Sequence, residues 1–394
     1  MTSAVLFIYP VTRPYSGQTI ATELAIRELS ARGWACDGLG LAGMDRSNSK
    51  LLNLVRFGAR TLADWARIAR AALAGTRTIC FNHSQSYAGF LRMGLPHLAV
   101  RRLRPRRRIV TSLHGNVFAT WPPDSRRMRI FLSILAASDK ITVLGAAQRE
   151  RLMELGVASD KLVILPNTGD ATPAGRDAVA AKQRTLVDAP DAPLVLLHLS
   201  LLIESKGFIE YLEACEHLAR TGIGRPIEIV LCGPIVLTPY CTRLTTSEAR
   251  TAWIEEKIAT LDALPGVTAS WLPGAVGEEK ARLFERAHIF VFPSRYPVEA
   301  QPLVLLEAMA AGCTIISSDQ GEIPSTLGNE CGICLTDISP PHLSAKIREY
   351  AEDHEARITD AMNGNARARN SFSREAYGER WDTLLRDETS GKPS

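Results

Sequence analysis

PSRYPVEAQPLVLLEAMAAGCTIISSDQGEIP, residues 293–324, is built around two glutamates eight positions apart, Glu299 and Glu307. The run just before it, residues 288–292 (HIFVF), is short, apolar and stopped by Pro293, as a buried strand should be. Pro302 suits the first turn of a helix, where its missing N–H costs nothing. Gly312 is placed to end that helix, and residues 314–317 (TIIS) read as the next strand. A strand–loop–helix–strand unit results, its helix N-terminus facing the loop at the first strand's carboxyl end. The N–H groups of Leu303 and Val304, left over at that terminus, favour an anion such as phosphate. Glu299, in the loop ahead of the helix, could accept hydrogen bonds from sugar hydroxyls. Glu307, about one turn in, is within reach of a ligand lying along the helix. A phosphate flanked by two hydroxyl-binding carboxylates describes a sugar nucleotide. A solvated Glu on an amphipathic helix is the competing account of the spacing alone.

Outward from this segment the chain alternates short apolar runs with helical patterns. Residues 5–9 (VLFIY), 78–82 (TICFN), 108–113 (RIVTSL), 140–144 (KITVL) and 162–165 (LVIL) read as strands, with helices over 19–31 and about 51–74. A second series runs through 194–199, 227–232, 267–272, 288–292 and 314–317. Alternation of this kind predicts an α/β fold with mostly parallel sheets covered by helices on both faces. Two doubly wound domains follow, with ligands expected at the carboxyl ends of the strands, in a cleft between them. The boundaries expected are 1–168 for the first domain and 193–371 for the second. Residues 169–192, in a stretch with four prolines between 166 and 193, read as linker and irregular structure. Residues 372–394 begin with a helical pattern, SREAYGERWDTLLRD after Phe372.

A length of 394 residues suits two domains with their own cores, and 46% apolar with 22% charged residues is a soluble composition. No apolar run is long enough to span a bilayer, and residues 5–9 read as a first strand rather than a signal peptide. A cytoplasmic location is therefore expected. The eight cysteines are scattered, several inside apolar strands, as reduced core thiols are. The lone CxxC at Cys331 and Cys334 has no second half and reads as packing. Nothing matches a P-loop, a paired-His zinc motif, a Gly-x-Ser-x-Gly elbow or a chelating Asp-x-Asp.

Charge is lopsided. Residues 1–168 hold 24 Lys+Arg against 10 Asp+Glu, while the remainder has 22 against 32. Residues 101–108 (RRLRPRRR), from Arg101 to Arg108, hold six arginines, and Arg126, Arg127 and Arg129 follow near Trp121. Basic side chains beside Trp and aliphatic residues, repeated on the 51–74 helix, suit an anionic membrane surface. A solvated Arg-rich loop and a helix buried on its own sheet are the alternative. No nucleic-acid-binding motif accompanies the charge, so no nucleic-acid partner is expected.

Residues 290–324 (FVFPSRYPVEAQ onward) closely resemble the donor-site segment of glycosyltransferase family 4. The resemblance implies the two-domain GT-B fold facing a central cleft, retention of anomeric configuration, and no metal or other cofactor. It implies a nucleotide-sugar co-substrate, UDP- or GDP-linked. It assigns Glu299 to the donor-sugar hydroxyls and Glu307 to the ribose. The family carries Arg-x4-Lys-Gly where residues 201–207 read LLIESKG; Lys206 matches, and Leu201 cannot supply the charge of the Arg. Residues 13–20 (RPYSGQTI) resemble a branch found among bacterial exopolysaccharide and capsule glycosyltransferases, and Gly17 there is a candidate for close backbone approach to the donor. His114, in SLHGN, matches a His placed near the transferring sugar. Asn167, which matches a Pro-Asn turn, and His83, in NHSQS, are candidates for lining the acceptor side. A plain turn and a structural imidazole explain Gly17 and His114 as well. Gly233, at a strand-end turn, and Gly274, in WLPGAVG, match positions bordering the nucleotide. The C-terminal helix is expected to cross back onto the first domain. The activity implied is transfer of a hexose to a lipid-linked saccharide acceptor in surface polysaccharide biosynthesis. A sugar-nucleotide epimerase on the same fold, or a catalytically silent partner protein, remain open as other accounts.

Overall fold

A computed structural model of the chain describes residues 4–11, 17–42, 50–73, 78–169 and 171–386. The chain divides into two compact units, Met1–Asn167 with Arg374–Ser394, and Thr168–Ser373.

The first unit holds a parallel sheet of β1 (Ala4–Val11), β2 (Ala35–Ala42), β3 (Thr78–Asn82), β4 (Arg108–Ser112), β5 (Lys140–Val143) and β6 (Leu162–Ile164). Their order is β2-β1-β3-β4-β5-β6. Period-2 alternation sends Val5, Phe7, Cys80 and Val110 to one face and Leu6, Ile8, Ile79, Phe81 and Ile109 to the other. Helices cover both faces. The helix Arg374–Arg386 packs in this unit: Trp381 meets Phe7 edge-on at 5.4 Å, and the Tyr377 hydroxyl donates to the Ala21 carbonyl at 3.0 Å. Arg108 closes its end by donating to the carbonyls of Leu384 and Leu385.

The second unit repeats the plan with β7 (Leu194–Leu199), β8 (Ile227–Cys232), β9 (Val267–Leu272), β10 (Ile289–Phe292), β11 (Thr314–Ser318) and β12 (Ile333–Leu335), in the order β12-β11-β10-β7-β8-β9. The strand order reverses between β7 and β10, the switch point where open α/β sheets bind ligands. Only Leu196 and Leu197 pair with β10 there. His198 extends the join, its Nδ1–H donating to the Val291 carbonyl at 2.9 Å. Burial lowers this imidazole to about 3, so it is neutral.

Two strands go unread in the sequence, and one reading needs correction. Strand β2 escapes a periodicity search because Gly38 and Gly40 dilute it; a Cβ at Gly40 would lie 2.7 Å from Val11. Strand β12 is only three residues long. The stretch 169–192 is not irregular: Arg176–Asp188 is a helix burying Val179, Gln183 and Leu186. Its flanking prolines punctuate the helix ends instead of dissolving it. Ala174 N–H donates to the Ala310 carbonyl and the Gln183 amide to the carbonyls of His288 and Gly312, which fasten it to the second unit.

Candidate active site

The loops leaving β7 and β10 converge at the second unit's switch point. After β7 a 3-10 turn, Glu204–Lys206, ends at Gly207, whose φ of 84° is left-handed. A Cβ on Gly207 would lie 2.3 Å from the Pro293 carbonyl, so glycine is required for the two loops to meet. Lys206 Nζ thereby reaches Glu299 Oε2 at 3.1 Å, with both side chains mostly buried. The ammonium also lies 5.3 Å from the Tyr296 ring centroid and 5.6 Å from that of Phe292. Glu299 Oε2 accepts a second bond from Ser294 Oγ at 3.1 Å. Oε1 has no protein partner among the described residues, which leaves it open to a ligand. The loop after β11 braces the arrangement, since Glu322 N–H donates to the Ala300 carbonyl and Gly321 packs on the Glu299 backbone. Desolvating an ion pair at strand ends costs free energy that packing does not return, so such pairs mark functional ground.

The helix Leu303–Ala310 starts beside Glu299, with Pro302 as its N-cap rather than its first residue. Among the described residues the N–H groups of Leu303 and Val304 meet no acceptor, and both residues are half-buried. At the far end Cys313 N–H bonds to Ala308 and Gly312 N–H to Met309, the paired closure that the left-handed Gly312 permits. Glu307 is buried, and its Oε1 accepts from Lys280 Nζ at 2.6 Å. Lys280 comes from the helix Gly277–Arg286, and nothing in the sequence singles it out. Gly233 has a φ of 143°, and a Cβ there would lie 1.7 Å from the Ser200 carbonyl. Its glycine is thus explained by close packing of the β7 and β8 ends. A Cβ on Gly274 would meet only Pro234, at 4.0 Å, which puts the two turns side by side. Leu201 is 45% exposed. Arg295 donates to the Thr336 carbonyl at 3.2 Å.

In the first unit His114, after β4, and Asn167, after β6, come together. His114 Nδ1 lies 3.1 Å from Asn167 Oδ1, which can only accept, so Nδ1 carries the proton. Nε2 is then an acceptor, 3.3 Å from Ser112 Oγ. Burial lowers this imidazole to about 4, against a smaller raising effect of the Asn167 bond. His83 is corrected: it is 3% exposed and cannot line an acceptor surface. Its Nε2 lies 2.9 Å from His97 Nδ1, and both rings stack with Phe81. Burial and the neighbouring His97 hold it well below its ordinary value. Gly17 opens the helix Gly17–Ala31 and is exposed; residues 13–16 lie outside the described residues.

The arginine cluster is partly structural. Arg101 donates to the Ala137 carbonyl and pairs with Asp139 at 2.6 Å, and Arg108 caps the terminal helix. Arg102, Arg104 and Arg106 stay exposed, with Leu103 among them. On the helix Lys50–Leu73 the buried face is Thr61, Asp64, Ile68 and Ala72, while Val55 and Leu62 are exposed beside Arg56 and Arg60. No helix among the described residues is long and apolar enough to cross a membrane.

Comparison with known proteins places this geometry. Residues 181–369 match the family described as Glycosyl transferases group 1, and residues 16–172 match Glycosyltransferase Family 4. Among curated proteins the chain is 23% identical over 354 residues to a Salmonella typhimurium protein provisionally named as the colanic acid biosynthesis glycosyltransferase WcaL, covering 88% of this chain and 80% of that one. The Escherichia coli protein of the same name is 24% identical over 290 residues, covering 72% and 64%. Among solved structures, HepE from Anabaena with UDP and glucose superposes with a TM-score of 0.69 at 14% identity, covering 98% of this chain and all of that one. Sucrose-phosphate synthase from Thermosynechococcus elongatus gives 0.69 at 20% identity, with the same coverage. Two parallel Rossmann-like sheets with these neighbours make the fold GT-B. The two family matches between them take in most of the chain, and it belongs to glycosyltransferase family 4.

Proposed function

We propose that this glycosyltransferase moves a hexose, with retention, from a UDP- or GDP-linked donor to a lipid-linked saccharide in surface polysaccharide biosynthesis, without a metal ion. The observation that carries the reading is the Lys206–Glu299 pair at the β7/β10 switch point, beside the open amides of Leu303 and Val304. In this reading Glu299 Oε1 receives donor-sugar hydroxyls and Glu307 receives the ribose. Lys206 and the helix terminus balance the charge that develops on the departing nucleoside diphosphate, the type of electrostatic stabilisation that often dominates catalysis. The bond from the sugar's anomeric carbon to the diphosphate oxygen breaks as the acceptor oxygen bonds to the same face. The acceptor's proton passes to the leaving phosphate, so no protein base is needed. Positive charge from Lys206 and the amides does the work that a divalent cation does elsewhere. His114, neutral and with Nε2 as acceptor, suits a hydroxyl of the transferring sugar; Asn167 sets its tautomer. The WcaL name supports an exopolysaccharide product, and the UDP and glucose held by HepE support the donor class.

The membrane-facing part of the proposal rests on Arg102, Arg104 and Arg106 around exposed Leu103, with Val55 and Leu62 beside Arg56 and Arg60. Each basic side chain near an anionic surface contributes about 1 kcal/mol. Flotation with anionic liposomes tests this, and retention after neutralising those arginines removes it. For the donor, a panel of nucleotide sugars is screened by thermal shift, since a ligand of the folded state raises its melting temperature. A UDP- or GDP-sugar is expected to stabilise the chain; absence of any shift across the panel overturns the proposal. A silent partner protein would bind the donor without transferring it, and an epimerase would convert it with no acceptor present.

A further inference from the structure

We infer that Lys280 is a second cationic contact for the donor's diphosphate, standing in for the charge that Leu201 cannot supply; this rests on the donor-site reading above. A nucleoside diphosphate brings at least two negative charges to the ends of β7 and β10. Lys206, on Glu299 at 3.1 Å, supplies one cation. The other basic side chains of the neighbouring loops are engaged elsewhere. Arg295 donates to the Thr336 carbonyl, and Arg243 pairs with Glu213 at 2.8 Å. Arg250 is fully buried on the carbonyls of Leu202, Val236 and Leu244.

Lys280 differs from these. It lies near the start of the helix Gly277–Arg286, which leaves the carboxyl end of β9 through the turn holding Gly274. From there its ammonium reaches Glu307 Oε1 at 2.6 Å. One of its three N–H donors is thereby oriented by the carboxylate assigned to the ribose. The side chain keeps 29% exposure, against 15% for Lys206, and its carboxylate partner is itself a candidate donor contact, unlike Glu213 on Arg243. Each site glutamate thus carries its own lysine, Lys206 on Glu299 and Lys280 on Glu307, and the ribose–diphosphate portion of a donor would lie between the two. A surface pin between two helices would not need its carboxylate to be buried, whereas Glu307 is 6% exposed.

The test is calorimetric binding of UDP and GDP, and of the matching monophosphates, to the full chain. Lys280→Gln keeps a hydrogen-bond donor for Glu307 and removes only the charge; Lys280→Met removes both. Both variants are expected to weaken diphosphate binding about 10- to 100-fold, the range of one charge-assisted hydrogen bond, with a smaller loss for the monophosphate. Donor KM should rise in step. Leu201→Arg placed in the Lys280→Met background should recover most of the loss. Diphosphate affinity in Lys280→Gln within twofold of the parent chain overturns the inference, as does an equal loss for mono- and diphosphate. If the parent chain binds neither nucleotide, the donor-site reading itself fails, which is a separate result.

Discussion

In the second unit the candidate residues at the strand ends are ionic and paired, Lys206 on Glu299 and Lys280 on Glu307. In the first unit the strand-end residues His114, Asn167 and His83 are imidazoles and an amide: His114 is on Asn167, and His83 is on His97 of the helix Leu95–Leu103. Burial holds His97 near 3 and His114 near 4, so neither carries charge at neutral pH. The first unit nonetheless has the more basic sequence, with Arg102, Arg104 and Arg106 exposed; His97 shares a helix with Arg102, yet burial is the main cause of its neutrality. Surface charge and site chemistry are therefore separate properties of that unit. Paired ions suit a ligand whose own charges can be exchanged into the pairs; neutral rings suit hydroxyls.

The sharpest way to break the comparison is to remove charge from one unit and a neutral contact from the other. Lys206→Met and Glu299→Ala should each lower transfer about 10²–10³-fold, the cost of losing a preorganised electrostatic contact. The double variant should fall little further, because one pair is lost in both cases. His114→Asn, which removes a neutral hydrogen-bonding group, should cost about tenfold or less. Initial rates with a donor identified by thermal shift decide it. A His114 variant as damaged as the Lys206 variant would erase the distinction drawn between the units.

A smaller effect concerns acid stability. An imidazole whose folded value lies below the ordinary 6.5 favours the folded state fully above 6.5, and that stability is lost as pH falls toward the folded value. His97, fully buried, falls to about 3, burial being the main cause. It should account for about 2 kcal/mol of destabilisation between pH 7 and pH 5. His198 and His288 exert the same pull on the second unit, so the parent chain's acid slope is shared. His97→Phe isolates one contribution: its urea midpoint should change less between pH 7 and pH 5 than that of the parent, whatever its absolute stability. An unchanged pH slope would mean that the His83–His97 pair already admits a proton.

Residues 293–324 were legible because each signal there is local: a bounded apolar run, a proline at the helix start, a left-handed glycine at its end. Glu299 lies in the loop between the first two of those marks, whereas Lys206 was legible only from its match to Arg-x4-Lys-Gly; the fold brings the two side chains to 3.1 Å. Lys280 was not legible. In EEKAR it looks like any solvated helical lysine, and only the three-dimensional approach of its helix to Glu307 distinguishes it. His83 failed for a related reason, since a strand-end position does not say whether a ring turns inward. Arg101 and Arg108 look like their exposed neighbours in sequence, yet both satisfy backbone carbonyls. Strand β2 and the helix Arg176–Asp188 were hidden by glycines and prolines whose roles depend on packing partners far along the chain.

The ionic character of the second unit extends to a thiol. Burial raises Cys36, Cys80, Cys215, Cys232, Cys313, Cys331 and Cys334 above the ordinary value. Burial acts on Cys241 as well, but the nearby Arg250 guanidinium, the Thr238 N–H bonded to its sulfur at 3.4 Å and the Glu204 backbone outweigh it and bring Cys241 down to about 7. Its loop is anchored by Glu204, two residues before Lys206, which accepts from the N–H groups of Thr242, Arg243 and Leu244. Alkylation by iodoacetamide should therefore show one fast-reacting cysteine whose rate reaches half its plateau near pH 7. Cys241→Ser should abolish that phase, and Arg250→Lys should move its midpoint toward 9 while leaving the seven raised thiols slow. A fast phase that survives Cys241→Ser, or a midpoint already at 9, would show that this loop does not stabilise an anion and would confine the ionic site to its two lysine–glutamate pairs.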